Sequence, residues 1–282
     1  MKRARACSRS WQGDSRPEEV ELESLEIARA RIRNGEWTGP TAGLAPGFVQ
    51  ANLVVLPRDL ADGFQAFCDR NPQALPLLDR TQPGSPVPDR VAPTADVRTD
   101  LPRYRLYRAG ELVEEMTDIV TLWHADSVAF LIGCSFTFDT VLQVAGIPLR
   151  HLEAGHNVPM YRTGRMTDPA GVFSGPLVAS MRPIPEEDVK RVVELTRGLP
   201  HAHGAPIQIG NPEALGINDL GAPDFGRAIE LLPGEVPVFW ACGVTAQAAA
   251  IDARIPRMIT HAPGHMLITD LCVEETATEP RN

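Results

Sequence analysis

The sequence predicts an α/β fold: a three-layer sheet core with an inserted smaller two-layer α+β domain. Two observations carry this prediction. A continuous apolar strand, Ser127–Ile132, is followed by Gly-Cys-Ser and then by a helical stretch, Phe136–Ala145. The same order recurs at Val236–Trp240, followed by Ala-Cys-Gly and a helix from about Thr245 to Ala253. Strand, small residues, cysteine and helix in this order are typical of a parallel sheet buried on both faces.

The other elements of the main unit follow from standard signals. Apolar residues at helical spacing predict a helix over Val20–Asn34, and Pro57 predicts the start of a second helix that ends near Asn71. The remaining expected elements are an apolar strand Asn52–Leu56, an irregular loop Thr81–Pro102, and a hairpin of Tyr104–Arg108 and Glu111–Met116.

Between the two cysteine units the pattern changes to shorter segments. Three strands, one helix and one further strand are expected, in chain order at Leu149–Glu153, Pro159–Thr163, Pro176–Met181, Glu186–Arg197 and Pro206–Ile209. This order predicts the smaller two-layer α+β unit. The domain prediction is a flexible N-terminal tail at 1–18, a main α/β domain at 19–146 and 211–282, and an inserted domain at 147–210.

Composition limits the partners of the chain. The net charge of -9 and the scattered lysines and arginines argue against nucleic acid, because phosphate binding needs a basic face. No apolar run approaches the roughly 20 residues that cross a bilayer, so no membrane partner is expected. Five widely spaced cysteines without a CxxC pair favour reduced thiols and a cytoplasmic location. The expected partner is a small-molecule carboxylate substrate, and a homo-oligomer is compatible with the sequence.

Cys134 and Cys242 are the first candidate site residues, because each lies where a strand ends and a helix begins. A helix N-terminus offers unpaired N–H groups and a partial positive charge, which bind carboxylates and lower the pKa of a thiol. The alternative is that each cysteine is a small buried residue in a tight turn.

A second candidate group lies at residues 151–163. If Leu149–Glu153 is a strand, His151 and Glu153 share one face and form an acid/base pair. Asn157 and Tyr161 follow as candidate substrate contacts. The alternative is a solvated face of a half-exposed strand.

A third group is histidine-rich. His261 and His265 flank Pro-Gly and are expected in a turn between two strands, since no helix continues through that pair. With His203 and Cys242 they could form a metal set, although their spacing matches no recognised ligand pattern.

Arg182 is a candidate bidentate clamp for a substrate carboxylate, with a surface arginine at a strand end as the alternative. Thr245 completes the expected substrate contacts. Walker A, GxGxxG, HExxH and GxSxG motifs are absent from the sequence, so neither a nucleotide nor a triad hydrolase is indicated.

Several strings together resemble the D-glutamate cyclase family, whose bacterial members are called hydro-lyases. The strings are Phe130-Leu-Ile-Gly-Cys-Ser-Phe, Arg150-His-Leu-Glu, Asn157-Val-Pro-Met-Tyr, Val178-Ala-Ser-Met-Arg-Pro, His203-Gly-Ala-Pro, Val238-Phe-Trp-Ala-Cys-Gly-Val-Thr and Thr260-His-Ala-Pro-Gly-His-Met. The resemblance runs from about Arg31 to Asp270. It departs at Asp139, where the family pattern has Glu, and in the extension before Glu18.

The resemblance implies the conversion of D-glutamate to 5-oxo-D-proline and water without ATP. Such a reaction needs a base, an oxyanion pocket, an acid and a clamp for the α-carboxylate. No cofactor is expected; a divalent metal such as Mn²⁺ is compatible with the chemistry but has no support in the ligand spacing. Three alternatives stay open: a hydro-lyase on another small amino or hydroxy acid, a metal-dependent hydrolase, and a non-catalytic carboxylate-binding protein.

Overall fold

The computed structural model describes residues 24–276, which form a mixed α/β protein with two sheets. The strands are β1 (Phe48–Pro57), β2 (Leu77–Arg80), β3 (Tyr104–Arg108), β4 (Glu111–Met116), β5 (Ser127–Gly133), β6 (Met160–Met166), β7 (Pro176–Pro185), β8 (Gln208–Ile209), β9 (Glu235–Ala241), β10 (Met258–His261) and β11 (Leu267–Cys272). The helices are α1 (Leu25–Arg33), α2 (Arg58–Arg70), α3 (Phe136–Val144), α4 (Arg150–Glu153), α5 (Val189–Arg197), α6 (Val244–Asp252) and α7 (Val273–Thr276). The predicted tail at 1–18 lies outside the described residues.

The larger sheet has the order β2-β5-β1-β10-β3-β4, and β11 also pairs with β1. Every pairing in this sheet is antiparallel, so the predicted parallel arrangement is wrong. The physical reason is that β1 and β5 are buried on both faces, and such burial produces an apolar run whatever the strand direction.

The smaller sheet has the order β6-β7-β9-β8 and is also antiparallel. Its strand β9, which leads to Cys242, was expected in the same sheet as β5. That expectation is wrong, because β9 pairs with β7 along Ala179–Pro185. The two cysteine units therefore belong to different sheets, while the domain boundaries at 146 and 210 stay a prediction.

The two helices that follow the cysteines pack into different parts of the core. Phe138 and Leu142 of α3 join a cluster with Leu53, Leu131 and residues of the smaller sheet, including Trp240. Alanines of α6 join a second cluster on the other face of the larger sheet, with Val54, Phe64 and Phe130. Side chains alternate between faces along β1 and β5, and this alternation places α3 and α6 on opposite sides of the larger sheet.

Most element predictions agree with the structure, and one that matters for the site does not. The hairpin β3–β4 has the expected bounds. His265 lies in the turn between β10 and β11 as expected, whereas His261 is the last residue of β10. The predicted strand Leu149–Glu153 is instead the single helical turn α4. Four residues are too few for helical periodicity to appear in a sequence. No helix within residues 24–276 is long and apolar enough to cross a membrane.

Candidate functional site

A buried ion pair between Asp139 of α3 and Arg182 of β7 lies at the centre of the site. Arg182 Nε donates to Asp139 Oδ1 at 2.6 Å and Nη2 donates to Oδ2 at 2.8 Å, a bidentate arrangement. Nη1 also donates to Ser180 Oγ at 3.1 Å, and Nη2 donates to Ser135 Oγ at 3.0 Å. Burial raises the pKa of Asp139, but the Arg182 guanidinium and His151 together hold it below its ordinary value.

Aromatic rings cover the same guanidinium. The Arg182 Cζ atom lies 4.6 Å from the ring centroid of Phe138 and 5.4 Å from that of Trp240. The bidentate edge of Arg182 is already bound to Asp139, so clamping a substrate carboxylate through that edge would require displacing Asp139. We therefore expect Arg182 to act on a ligand chiefly as a fixed positive charge.

His151 of α4 lies against this ion pair. Its Nε2 atom is 3.4 Å from Asp139 Oδ2, a distance that is long for a hydrogen bond. Neither ring nitrogen makes a hydrogen bond to any residue in the described part of the chain, although the side chain is 1% exposed. Glu153, the partner expected from the sequence, is exposed to solvent. The His151–Glu153 pair is therefore wrong, and Asp139 is the carboxylate beside His151.

The two cysteine turns have the same local geometry. Cys134 follows a seven-residue strand and Cys242 follows another, and one residue then separates each cysteine from a nine-residue helix. The intervening residues have nearly equal torsions, φ -62° and ψ -19° at Ser135, and φ -62° and ψ -18° at Gly243. Each cysteine carbonyl also accepts a hydrogen bond from the N–H three residues later.

Asn52 of β1 joins the two turns. Its Nδ2 atom donates to the carbonyl of Gly133, just before Cys134, at 2.8 Å. A Cβ atom built on Gly243, just after Cys242, would lie 2.4 Å from the same nitrogen. The turns are thus separated by about one amide group, and the charge of Cys242 contributes to the pKa of Cys134.

This close fit gives a first testable prediction. Gly243→Ala should destabilise the fold by about 1–3 kcal/mol, because the new methyl group overlaps Asn52. Gly63→Ala on α2 is the matched control: its Cβ would meet Phe173 at an ordinary 3.8 Å, and alanine favours a helix. Chemical denaturation checks both variants, and equal stabilities would contradict the described approach of Asn52 to Gly243.

Burial controls the ionisation of the two thiols. It raises the pKa of Cys134 to about 12 and that of Cys242 to about 11. Hydrogen bonding to the N–H of Phe136 and of Val244 lowers these pKa values by less than burial raises them. The expected lowering of the thiol pKa is therefore wrong.

Cys68, Cys134 and Cys242 are free thiols, whereas Cys272 is disulfide-bonded, so the expectation of reduced thiols throughout the chain is also wrong.

His203 is brought close to the same centre. Its Nδ1 atom lies 3.0 Å from the carbonyl oxygen of Gln73, and burial, with the nearby charge of Arg182, lowers its pKa to about 4. The preceding residues pack tightly on the end of β5, since a Cβ atom on Gly133 would lie 1.6 Å from the His201 carbonyl oxygen. His203 is thus a neutral imidazole near Arg182.

The histidines of the β10–β11 turn are also neutral. Burial lowers the pKa of His261 to about 4, and its Nδ1 atom lies 3.2 Å from the backbone of Leu53, the neighbour of Asn52. His265 is half-buried, with Nδ1 2.9 Å from the Pro263 carbonyl oxygen, and burial lowers its pKa as well.

The predicted substrate contacts fall into two groups. The Asn157 amide lies against the β10–β11 turn, where a Cβ atom on Gly264 would be 2.6 Å from its Oδ1 atom. Thr245 Oγ1 instead donates to the carbonyl of Cys242 at 2.7 Å and accepts from a backbone N–H of β7, so it fixes the turn. Tyr161 points away from Cys242 and donates to the Leu220 carbonyl at 2.8 Å.

Four residues of the site were not predicted from the sequence: Asp139, Ser135, Ser180 and Asn52. One signal was present for Asp139, which is the only charged residue in the stretch Phe136–Val144. Such a group needs a charged partner when it is buried. Nothing local indicated that the partner would be Arg182, which lies 43 positions away in the sequence.

The metal set considered from the sequence is not assembled. Within residues 24–276, no three histidine, cysteine, aspartate or glutamate side chains lie together in an arrangement that could hold a metal ion. A surface groove of about 650 Å³ runs along α5 and β8, and no predicted site residue lines it.

Comparison with known proteins gives consistent relatives. Residues 128–270 match the family model described as D-glutamate cyclase. A protein named "Putative hydro-lyase" from Bacillus licheniformis is 57% identical over 93% of this chain and 97% of its own length. A protein of the same name from Stutzerimonas stutzeri is 59% identical over 88% of this chain and 93% of its own length. Among solved structures, a nitrogen repressor-like protein from Methanococcus jannaschii aligns over 86% of this chain and 97% of that one, with a TM-score of 0.39 and 11% identity.

Proposed function

Because this chain belongs to the D-glutamate cyclase family, we propose that it is a hydro-lyase that cyclises D-glutamate to 5-oxo-D-proline with loss of water. The observation that supports the proposal most is the pairing of two helix N-termini beside a buried Arg182–Asp139 ion pair. This arrangement places positive charge in a buried region, which would favour an anion.

The reaction sets clear requirements. The α-amine of the substrate attacks the γ-carboxyl carbon of the same molecule, and the leaving oxygen departs as water. Ring closure is unimolecular once the substrate is folded, so holding the two ends together supplies much of the acceleration. The protein then needs donors for the developing oxyanion and a group that moves a proton from nitrogen to oxygen.

The helix N-termini supply the donors. Each helix carries a partial positive charge at this end, and the N–H groups of Phe136 and Val244 point at the thiols. The N–H groups of Thr137 and Thr245 bond to the cysteine carbonyls instead. The charge of Arg182 affects both Cys134 and Cys242, so it lies close to both turns. A dicarboxylate beside the two turns would have one positively charged helix end for each carboxylate.

His151 is our candidate for the proton transfer. Its Nε2 atom faces Asp139, while Nδ1 has no hydrogen-bond partner among the described residues. A carboxylate on one side of an imidazole orients the ring. His151 would accept a proton from the ammonium group and donate it to the departing oxygen.

The test is direct incubation of the purified protein with D-glutamate in the absence of nucleotide. We expect 5-oxo-D-proline, identified by loss of one water in the mass spectrum, at a rate that rises from about pH 6 to about pH 8 because the attacking amine must be neutral. L-glutamate and a panel of hydroxy acids serve as comparisons. A requirement for ATP would contradict the hydro-lyase class, and water loss from another acid alone would change the substrate.

A further inference from the structure

The two cysteine units have equivalent backbone structures. Strand length, helix length and the torsions of the joining residue agree between the unit of Cys134 and the unit of Cys242. The larger sheet carries one thiol and the smaller sheet carries the other. The Asn52 amide lies against the backbone next to each cysteine, and the charge of Cys242 affects Cys134. The two thiols are therefore near each other, although they pack in different apolar clusters.

Residues at equivalent positions of the two units are also exposed to nearly the same extent. Cys134 and Cys242 are 7% and 8% exposed, and the first helical residues Phe136 and Val244 are 8% and 7% exposed. Two residues further along, Phe138 and Ala246 are 0% and 1% exposed. Equivalent positions in the two units are therefore slightly accessible at the thiols and at the first helical residue, and closed two residues further along each helix.

A separate observation indicates that this region accommodates a polar group. His151 is 1% exposed, and its nitrogens have no hydrogen-bond partner in the part of the chain that the structure describes. A buried polar atom without a partner is destabilising. His151 contacts Asp139, and Asp139 lies one helical turn from Ser135. The charge of Asp139 also affects Cys134, the neighbour of Ser135. A polar ligand or water beside these residues would satisfy the imidazole.

From this geometry we propose that Cys134 and Cys242 form a two-thiol pair that exchanges the α-hydrogen of a bound amino-acid carboxylate and inverts its α-carbon. The proposal rests on the proposed function for its substrate class, a small amino-acid carboxylate such as glutamate or 5-oxoproline. It adds an activity that ring closure does not require.

The step needs no external reactant. One thiol first gives its proton to water, and because burial raises both thiol pKa values this thiolate is a small fraction of the protein at neutral pH. The thiolate then takes the α-proton, so a C–H bond breaks and an S–H bond forms. The electron pair moves into the carboxylate as an enediolate, which the helix N-termini of α3 and α6 stabilise. The other cysteine then gives its S–H proton to the opposite face of the carbon and becomes the thiolate. Solvent hydrogen enters because thiol protons exchange with water.

The test follows exchange and ring closure in one sample. Wild-type protein is incubated in D₂O with D-glutamate and, separately, with L-glutamate and 5-oxo-D-proline. Mass spectrometry and proton NMR measure deuterium at the α-carbon and loss of water, and chiral chromatography measures inversion. We expect α-deuterium together with the opposite enantiomer. Cyclised product without α-deuterium would overturn this proposal while leaving the cyclase intact. Deuterated, inverted glutamate without ring closure would support this proposal and contradict the cyclase.

Variants separate the thiol pair from a general effect on folding. Cys134→Ser and Cys242→Ser should each reduce α-deuterium incorporation by about 10²–10⁴-fold, the range for loss of a positioned acid or base. Cys68→Ser, at a buried free thiol on α2, is the matched control and should keep wild-type exchange. Thermal unfolding of all three variants checks their folding. Undiminished exchange in either Cys134→Ser or Cys242→Ser would overturn the two-thiol mechanism, and the wild-type isotope measurement decides the proposal if a variant does not fold.

Discussion

Asp139→Asn is expected to lower the free energy of unfolding by about 3–5 kcal/mol, because it leaves the Arg182 guanidinium buried without its countercharge. Asp62→Asn is the matched control, since the Asp62 side chain is 92% exposed in its contact with Arg80 and should change stability by less than about 1 kcal/mol. Urea denaturation of both variants measures the difference.

A double variant distinguishes the effect of the ion pair on stability from the effect of side-chain volume. Asp139→Leu with Arg182→Met should recover most of the lost stability, because replacing both partners of a buried pair by apolar residues is often close to neutral. It should not recover activity, since the positive charge beside the thiols is gone.

The pKa of Asp139 is held below its ordinary value, so its stabilisation is present above about pH 4 and is lost as pH falls further. A single Asp139→Asn variant as stable as wild type would show that the pair is not buried as described.

His151→Phe is expected to separate activity from stability. Turnover of D-glutamate should fall by about 10²–10⁴-fold, the loss that follows removal of a general acid or base. Stability should stay the same or rise, because a ring of similar shape replaces two buried nitrogens that lack hydrogen bonds. Steady-state kinetics and thermal unfolding measure the two effects.

His124→Phe is the control for this substitution, because His124 is exposed and lies in the turn before β5. It should leave both turnover and stability close to the wild-type values. Normal turnover of His151→Phe would remove His151 from the proton transfer. A large loss of stability instead would indicate that the imidazole has a structural partner.

The sequence could predict what depends on local periodicity. The strand and helix of each cysteine unit and the β3–β4 hairpin appear within two residues of their expected bounds. Strand direction could not be predicted for Ser127–Ile132 or Val236–Trp240, because burial on both faces gives the same apolar run in either kind of sheet. The assignment of these strands to two different sheets depends on contacts that are distant in sequence.

The candidate site was predictable only in part, for a related reason. The cysteines could be recognised because a strand, a small-residue turn and a helix are each local patterns. The pairing of His151 could not, since α4 is one turn long and its neighbour Asp139 is on another helix. The thiol pKa values are raised rather than lowered, because burial in the folded protein outweighs the local effect of the helix N-terminus.

The most direct test of the account is whether one D-glutamate molecule covers both thiols. Wild-type protein is treated with iodoacetamide at several D-glutamate concentrations, and mass spectrometry measures the alkylation rate of each cysteine separately. We expect Cys134 and Cys242 to be protected together, with the same half-maximal concentration. Protection of only one of these cysteines, different half-maximal concentrations, or no protection of either would contradict a single site shared by the two turns.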